Sequence, residues 1–569
     1  MLGPWCFTAK EILDGKVPAD AAHYHWDDRA KLARDYDYVQ SLHARVLDAL
    51  AVTLNRYHRT SHSRRYWQIV ADPWLMAYVS VLFDRFESLH AAFAGTEEFE
   101  FFSGEATDRR PPDDYNAFIG EVLTDDWNEW LFARIAESRY PGRCAVRVAG
   151  LQQAPAARAP ASAGAGKRIA RMIDGWLARF SCDNPVAFVQ SYFRPGALLR
   201  LCLRLRQVPR AYLHEFPLHE LLPGAASARA GQCARDLRAD FAAATDFERF
   251  ICDRLPLDLP ASLVEDFPAL AARARELPQR PRIIVTATAQ FTNTVAKAWF
   301  AERVAAGAAL VVLEHGGSFP AKRELLDFEE DIADVRIPWF KPYHSKHLQL
   351  PPSKLVGAPQ PRIDAHGPCL IVANESPPWV FRAHFYPMAH QCLRSFRMIC
   401  DLVDSLSEEV AQRVSIRPAP DQGWNLSKLF VGRFGARRVS RVGTLESALA
   451  QARLIVCSYP ETTFSEAMAS DIPVVLVYPP EIYERHPVTA PLLEQMRSAR
   501  IVFTDATEAA AHVSAVWSNL DAWWNSAEVA TARRAFRDTA LRFDGDWIRE
   551  WTHFLRSLPS KENTEIVSR

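Results

Sequence analysis

The sequence predicts an α/β protein in which two α/β domains face each other across a cleft. A large helical region precedes them and a C-terminal helix follows. Two observations indicate this class. The first hundred residues show mainly helical periodicity, and from about residue 280 short apolar runs alternate with helical segments. Such alternation is typical of doubly wound parallel sheets that are covered on both faces. The 569 residues are also too many for one hydrophobic core.

Charge and cysteine content exclude several function classes. The chain has 67 basic and 68 acidic residues, a net charge of −1, which argues against a general electrostatic attraction to nucleic acid. Its ten cysteines form no CxxC pair, so neither a zinc knuckle nor a redox dithiol is indicated. The start lacks signal-peptide features, and no apolar run approaches the roughly 18 residues that cross a bilayer. We expect a cytoplasmic protein that binds no nucleic acid.

The N-terminal part is expected to be helical. Residues 34–58 carry apolar side chains three or four positions apart, and 66–86 continue in the same style. The segment 153–166 is rich in Ala, Pro and Gly and is expected to be a flexible insertion. Helical character resumes at Lys167. Within the apolar stretch 186–213, four arginines (Arg200, Arg204, Arg206 and Arg210) form either a solvated helix face or a basic face for anionic lipid at the inner membrane.

Two series of β-like runs follow. The runs 282–288 and 309–313 flank a helical segment at 292–306, which predicts a right-handed βαβ unit with parallel strands. After the Pro/Gly-rich stretch 351–367, we expect strands at 369–374, 414–417, 454–457 and 473–477, and helices at 384–405, 444–450, from 463 and in the tail 527–557. The predicted units are therefore 1–345 with its α/β part at 280–345, a linker at 346–366, a domain at 367–525 and a helical tail at 526–569.

The most informative stretch runs from Leu454 to Val475. A buried strand leads into a polar turn, and a new helix begins with small hydroxyl residues, Thr462, Thr463 and Ser465. The free N–H groups of a helix start form an anion site, so this loop, including Glu461, is a candidate for binding a diphosphate. Glu466 is placed to accept hydrogen bonds from ribose hydroxyls. The alternative is that Thr463 and Glu466 form a capping box and bind no ligand.

A second candidate is Glu314-His315-Gly316-Gly317-Ser318, directly after a β-like run. Gly316 and Gly317 permit close approach of a ligand to the backbone. His315 is expected to point into the cleft and to act as a general base on an acceptor hydroxyl. The alternative is a histidine that caps neighbouring backbone.

Further candidates follow other strands. Arg417 ends a predicted strand and suits bidentate phosphate recognition, while Asp421 is either a second catalytic group or a partner that rigidifies the loop by pairing with Arg417. Asn374 is a candidate for the cleft loop, and Thr286, Thr288 and Asn293 are weaker ones. His23, His25 and Asp27 resemble metal ligands but lack a third, separated group, so no metal site is expected.

Several blocks along the chain resemble those of transferases from bacterial O-antigen and surface-carbohydrate clusters. These blocks are His25-Trp26-Asp27-Asp28-Arg29, Leu54-Asn55 with His58, Arg65-Tyr66-Trp67 with Pro73-Trp74-Leu75, Glu314-His315-Gly316-Gly317, Arg417-Pro418 with Asp421 and Gly423-Trp424, and Glu461-Thr462-Thr463-Phe464 with Glu466-Ala467. Together they cover nearly the whole chain in order. Two positions depart from the family pattern: Ser318-Phe319-Pro320 after the glycine pair, and Asp72 before Pro73.

The resemblance implies a GT-B-like fold, with two Rossmann-like domains that face a cleft. It implies acceptor binding by the N-terminal half and binding of the nucleotide donor by the C-terminal half, with no metal and no cofactor, because the nucleotide sugar is a co-substrate. His315 falls at the family's His-Gly-Gly position and residues 461–466 at its donor-phosphate loop. The implied acceptor is a glycan or a lipid-linked glycan.

Four functional hypotheses follow. The leading one is transfer of a sugar to a growing surface polysaccharide. The others are transfer of a nucleotide-activated polyol phosphate, epimerisation or hydrolysis of a nucleotide sugar by the same fold, and a non-catalytic glycan-binding subunit.

Overall fold

A computed structural model gives the fold of the protein. It describes residues 3–18, 21–93, 99–103, 109–148, 165–216, 237, 241–317, 319–323, 328–358, 364–542 and 545–558. Most of the predicted insertion at 153–166, and Ser318 of the second candidate loop, lie outside these residues. Within the described residues, no helix is both long enough and apolar enough to cross a membrane.

The N-terminal part is a helical layer, as predicted. Its long helices α2 and α3 pack against each other, and α3 is buried along most of its length. The helices before the first large sheet are α1 (Ala9–Leu13), α2 (Arg29–His58), α3 (Arg64–Phe93), α4 (Tyr115–Val122), α5 (Asp125–Arg139) and α6 (Ala165–Leu177). Strands β1 (Phe99–Ser103) and β2 (Cys144–Val148) pair in parallel beside this layer. Trp67 and Trp74 of α3 belong to its core, as expected of apolar aromatic side chains.

The first large sheet has four parallel strands in sequential order, β3 (Val186–Val189), β4 (Ile283–Thr286), β5 (Ala309–Leu313) and β6 (Val335–Ile337). Its helices are α7 (Pro195–Leu205), α8 (Asp246–Asp258), α9 (Phe267–Glu276), α10 (Ala289–Thr292), α11 (Thr294–Ala305) and α12 (Phe328–Ile332). The βαβ unit predicted from 282 to 313 is confirmed as β4, α11 and β5. The strands β3 and β6 were not predicted.

The second large sheet is parallel and has the order β11-β10-β9-β7-β8. Its strands are β7 (Cys369–Val372), β8 (Val414–Arg417), β9 (Leu454–Cys457), β10 (Val474–Val477) and β11 (Val502–Phe503), and its helices are α13 (Cys392–Ser405), α14 (Glu408–Ala411), α15 (Leu426–Phe434), α16 (Leu445–Ala450), α17 (Thr462–Ala469), α18 (Ala490–Ser498) and α19 (Ala506–Val516). Numbered from β7, this is the doubly wound order 2-1-3-4-5, whose switch point lies between the first and third strands. Two Rossmann-like sheets with a cleft between them confirm the predicted GT-B-like class.

Both ends of the chain pack against the opposite half. Ala9 of α1 joins the core of the second large sheet. At the other end, α20 (Leu520–Trp524) and α21 (Ala527–Phe536) stay with that sheet, whereas α22 (Trp547–Ser557) packs on α7. The Trp551 ring lies 5.1 Å from that of Phe193, at the first large sheet. These crossings tie the two halves together. The assignment of domain limits at 345, 366 and 525 stays a prediction.

Two expectations require correction. The helix predicted over 384–405 begins only at Cys392, because Ala389 has a left-handed backbone (φ 48°) and Ala389–Gln391 form a 3-10 turn before the α-helix. Arg210 is not part of an exposed basic face, since its guanidinium is buried against Asp174 and Glu215. Arg200, Arg204 and Arg206 are exposed as expected.

Candidate functional site

A cavity of about 260 Å³ opens between the two large sheets. Its lining comes from residues 314–317 after β5, from residues 374–377 after β7, and from residues 460–462 after β9, at the start of α17. Because all three segments follow the carboxyl ends of parallel strands, and β7 and β9 flank the switch point of the second sheet, the cavity lies where open α/β sheets bind ligands. The tertiary structure therefore brings the predicted loop 314–317 and the first two residues of the predicted loop 461–466, Glu461 and Thr462, into one site.

On the β5 side, His315 is exposed to the cavity, and none of the described residues bonds to its ring. Glu314 turns back beneath the loop: its carboxylate accepts from the backbone N–H of Trp339, and its Oε1 atom would lie 2.6 Å from a Cβ atom on Gly317. Position 317 therefore has no room for a side chain while Glu314 keeps this conformation. The loop is held by Glu314, which leaves His315 free to act on a ligand.

Electrostatics keep His315 neutral at pH 7. Desolvation is the first cause of the lowered pKa of His315. The positive charges of Arg336, Arg382 and Lys354 add to this effect and bring the pKa of His315 to about 4. Binding of an anion among these cations is expected to raise the pKa again, because it removes part of their repulsion.

On the β9 side, the first turn of α17 faces the cavity with Glu461 and Thr462. Glu461 is the N-cap residue, and its side chain makes no capping bond. Thr463 is buried and bonds to the Tyr459 hydroxyl at 2.7 Å, while Glu466 forms an ion pair with Lys354 at 2.8 Å. The alternative interpretation of Thr463 and Glu466 as a capping box is therefore wrong. Ser465 is also buried, and its Oγ has no partner among the described residues.

The segment 377–391 closes the third side of the cavity and carries two groups that sequence reasoning missed. Arg382 lines the cavity and makes no hydrogen bond or ion pair with any residue that the structure describes, and its Nε is buried. His384 lines it too, with a buried Nδ1 that has no partner in the described parts of the chain. Burial, Arg382 and Arg29 together hold the pKa of His384 well below its usual value. Three prolines in this segment, Pro377, Pro378 and Pro387, were the signal that it is irregular.

The N-terminal helical layer holds this segment in place. Arg85 of α3 donates to the Val380 carbonyl at 2.7 Å, and the Trp379 indole donates to Asp125 of α5 at 2.7 Å. At the far end, Gln391 donates to Asp27 at 2.9 Å. The helical elaboration thus positions Arg382 and His384.

The same contacts give a structural role to residues 23–29. His25 bonds to Asp84 at 3.1 Å, whereas Asp27 faces Gln391 and His390. Arg29 bonds to Glu484 at 2.6 Å, across the two halves of the chain. Because His25 and Asp27 serve different partners, the resemblance to a metal-ligand pair has no geometric support.

The remaining predicted residues fall around the cavity or outside it. Asn374 lines it. Arg417 does not, because its guanidinium donates to the carbonyls of Val442 and Gly443. Asp421 is exposed, and its carboxylate accepts from the N–H groups of Gly423 and Asn425. Arg417 and Asp421 therefore do not pair as the rigid-loop alternative supposed, and their roles in binding and catalysis stay predictions.

Three carboxylates at the cavity already serve the fold. Glu314 holds Trp339 and Glu329 pairs with Arg336. Glu375 accepts from the backbone N–H groups of Gln422 and Trp424 at 2.9 Å each, and burial raises its pKa. The neutral imidazole of His315 is thus available as a proton acceptor at this site, as is that of His384.

One group beside the cavity has the composition of a metal site. Glu330, His344 and His347 place one ligand atom each within 4.8 Å of one another. His347 Nε2 lies 2.9 Å from Glu330 Oε1, at hydrogen-bond distance. Arg336 lies 3.7 Å from the same carboxylate and disfavours a cation there. Metal independence of the reaction stays a prediction.

Solved structures with partial similarity include TarM, which shares 11% identity and has a TM-score of 0.29; the match covers 44% of this chain and about half of TarM, 51%. Another is MurG of Acinetobacter baumannii, with 11% identity over 53% of this chain and 80% of MurG and a TM-score of 0.30. A third is MnaA of S. aureus with UDP, with 9% identity over 52% and 80% of the two chains and a TM-score of 0.30. These similarities are too low to assign an activity.

No curated protein sequence matches the chain significantly. A family model matches it over residues 1–555, that is, over nearly its whole length, and describes a family of transferases. The protein is a member of the LIC12162 family of transferases.

Proposed function

We propose that this protein transfers a sugar from a nucleotide-activated donor to a hydroxyl group of a surface-polysaccharide acceptor, of the O-antigen or capsule type. The observation that carries the proposal is the cavity at the switch point of the second sheet. It combines a helix start, the unpaired cation Arg382 and the neutral base His315. This set suits a reaction in which a nucleotide leaves and the acceptor hydroxyl loses its proton to a base.

The donor is proposed to bind with its diphosphate between Arg382 and the start of α17. The first amides of α17 and the Thr462 hydroxyl supply hydrogen-bond donors, and Arg382 supplies a positive charge that no described acid neutralises. Glu461 faces the same space, and its acidity favours a sugar or ribose hydroxyl as its neighbour over a phosphate. The nucleoside is then proposed to lie over the second sheet.

The reaction is proposed to begin at His315. Its imidazole takes the proton of the acceptor hydroxyl as that oxygen forms a bond to the anomeric carbon, and the bond from this carbon to the phosphate oxygen breaks. The electron pair leaves with the nucleoside diphosphate, whose charge Arg382 and the helix start stabilise. The proton stays on His315 until product leaves. The acceptor is proposed to be a glycan or a lipid-linked glycan bound by the N-terminal half.

A thermal-shift screen of the full chain against UDP-, GDP-, CMP- and dTDP-linked sugars tests the donor half of the proposal. We expect one nucleotide class to raise the melting temperature, and Arg382→Gln to reduce that rise. No shift with any class at millimolar concentration contradicts nucleotide-sugar binding. A donor that is consumed without acceptor, and without a glycosylated product, identifies a hydrolase or epimerase instead.

A further inference from the structure

The helix α6 carries an apolar stripe on its solvent side. Its members are Ile169, Met172, Ile173 and Trp176 within the helix, and Phe180, about one turn after the helix ends. Their spacing of three, one, three and four residues puts them on one helix face. They are 51% to 70% exposed, whereas such side chains are normally buried on the core-facing side of a helix.

The opposite face of α6 is firmly anchored, so the outward direction of the stripe is fixed. Asp174 is buried and its carboxylate pairs with Arg210 at 3.1 Å. It also accepts from the backbone N–H groups of Ala211 and His214. At Gly175 the helix lies so close to His214 that a Cβ atom on residue 175 would be 3.2 Å from the His214 ring. Rotation of the stripe inward would bury its five apolar groups only by breaking this network.

The charge around the stripe has one sign. Between residues 165 and 180 the chain has four basic residues, Lys167, Arg168, Arg171 and Arg179, and one acidic residue, Asp174. Since Asp174 is buried against Arg210, the exposed charges among the described side chains of this element are basic, Arg168 and Arg179. The next helix, α7, repeats the pattern with exposed Leu199 and Leu203 beside Arg200 and Arg204.

We propose that α6 lies in the surface of an anionic lipid bilayer, with Ile169, Met172, Ile173, Trp176 and Phe180 at the level of the headgroups and its arginines on the lipid phosphates. An exposed apolar stripe that contains Trp and Phe, on an element whose exposed charges are basic, is the pattern of interfacial helices. Charge complementarity selects lipid over a second copy of this chain, because two copies would bring like charges together. The inference does not depend on the transferase reaction.

Co-sedimentation of the full chain with vesicles tests the proposal. We expect binding to vesicles of phosphatidylglycerol and phosphatidylethanolamine, and much weaker binding to phosphatidylcholine vesicles. The double variant Ile173→Ser/Trp176→Ser is expected to lower the partition coefficient about tenfold or more, because each side chain loses its apolar transfer free energy. The double variant Arg168→Gln/Arg179→Gln is expected to lower the partition coefficient about fivefold per charge, on anionic vesicles only.

The matched control is Val442→Ser, which removes another exposed apolar side chain, 87% exposed, from the second half of the chain. It is expected to leave vesicle binding unchanged. Circular dichroism checks that each variant is folded. The proposal is overturned if the chain ignores anionic vesicles, or if the double variant binds them as the parent does. It is also overturned if light scattering shows a dimer that Ile173→Ser/Trp176→Ser dissociates, which would make a second copy the occupant.

Discussion

Gly316 and Thr462 touch across the cleft: the Thr462 hydroxyl occupies the place of a Cβ atom on residue 316, and the Thr462 Cβ would lie 3.2 Å from it. One residue follows β5 of the first sheet and the other begins α17 of the second. A glycine at 316 is therefore required by the other half of the chain and not by its own turn, since its φ is not in the left-handed region. This contact sets the distance between the loop 314–317, which carries His315, and the proposed donor loop, 461–466.

Gly316→Ala is expected to push these loops apart and to reduce the transfer rate by about 100-fold, as a displacement of the order of 1 Å does in active sites. Thr462→Ala removes the colliding atoms, so the double variant is expected to perform close to Thr462→Ala alone. Steady-state kinetics of the parent, the two single variants and the double variant measure this double-mutant cycle. Gly120→Ala is the control, because a Cβ atom there meets nothing within 4 Å. Additive losses in the double variant would show that the contact does not matter.

His315→Ala is expected to lower kcat by about 100- to 10,000-fold, the usual contribution of a general base, and to leave donor affinity nearly unchanged. Product formation and calorimetric binding of the nucleotide sugar measure the two effects. The control is His366→Ala, an exposed histidine outside the cavity. Equal loss of kcat and donor affinity would assign His315 to binding instead.

Arg382→Gln is expected to weaken donor binding by about 10- to 150-fold, the value of hydrogen bonds to a charged group. Arg382→Lys keeps the charge but loses the planar fork, so it should recover part of the affinity. Isothermal calorimetry measures both. Arg394→Gln, at an exposed arginine that pairs with Glu481, controls for net charge. Unchanged affinity in Arg382→Gln would remove this residue from the donor site.

The pH dependence of His315 follows from its surroundings. In the free enzyme the pKa is lowered to about 4, so the base is neutral above that pH and is lost as the pH falls through it. A bound nucleoside diphosphate offsets the positive charges of Arg336, Arg382 and Lys354. We therefore expect the pKa of His315 to rise with UDP or another matching nucleotide. NMR titration of the ring C–H signals, assigned with His315→Ala, measures the shift; a pKa that does not respond places the diphosphate elsewhere.

Arg85→Met is expected to destabilise the fold by about 3–5 kcal/mol, because it leaves the buried Asp84 carboxylate without its cation. Both side chains are buried, and Arg85 also holds the Val380 carbonyl. Urea unfolding measures the free energy. Arg34→Met, at an exposed position, is expected to change it by less than about 1 kcal/mol. A small loss of unfolding free energy in Arg85→Met would mean that the segment 377–391 is held by its other contacts.

The departure at Asp72 has a local compensation. Asp72 and His43 are both buried and bond to each other between α3 and α2. A buried carboxylate needs such a partner. The sequence alone could not identify His43 as that partner, since the pair spans two helices.

The strand and helix alternation from 282 to 477 determined the two-sheet class, because the period and length of apolar runs report local structure directly. It also predicted a site at the loops after β5 and β9, since polar residues directly after buried strands stand at the carboxyl edge of a parallel sheet, and both loops line the cavity. What the sequence could not determine is which loops meet. That depends on sheet order and on contacts between residues more than a hundred positions apart.

Only the tertiary structure decided the composition of the site. It brought Gly316 against Thr462 and paired Glu466 with Lys354. Arg417 instead bonds to the carbonyls of Val442 and Gly443 in another loop, and Asp421 bonds within its own loop. The tertiary structure added Arg382 and His384 from the irregular segment 377–391, only part of which was predicted to be helical. The physical reason is that hydrogen bonds and charges act over a few ångströms in space, whereas periodicity reports only neighbours along the chain.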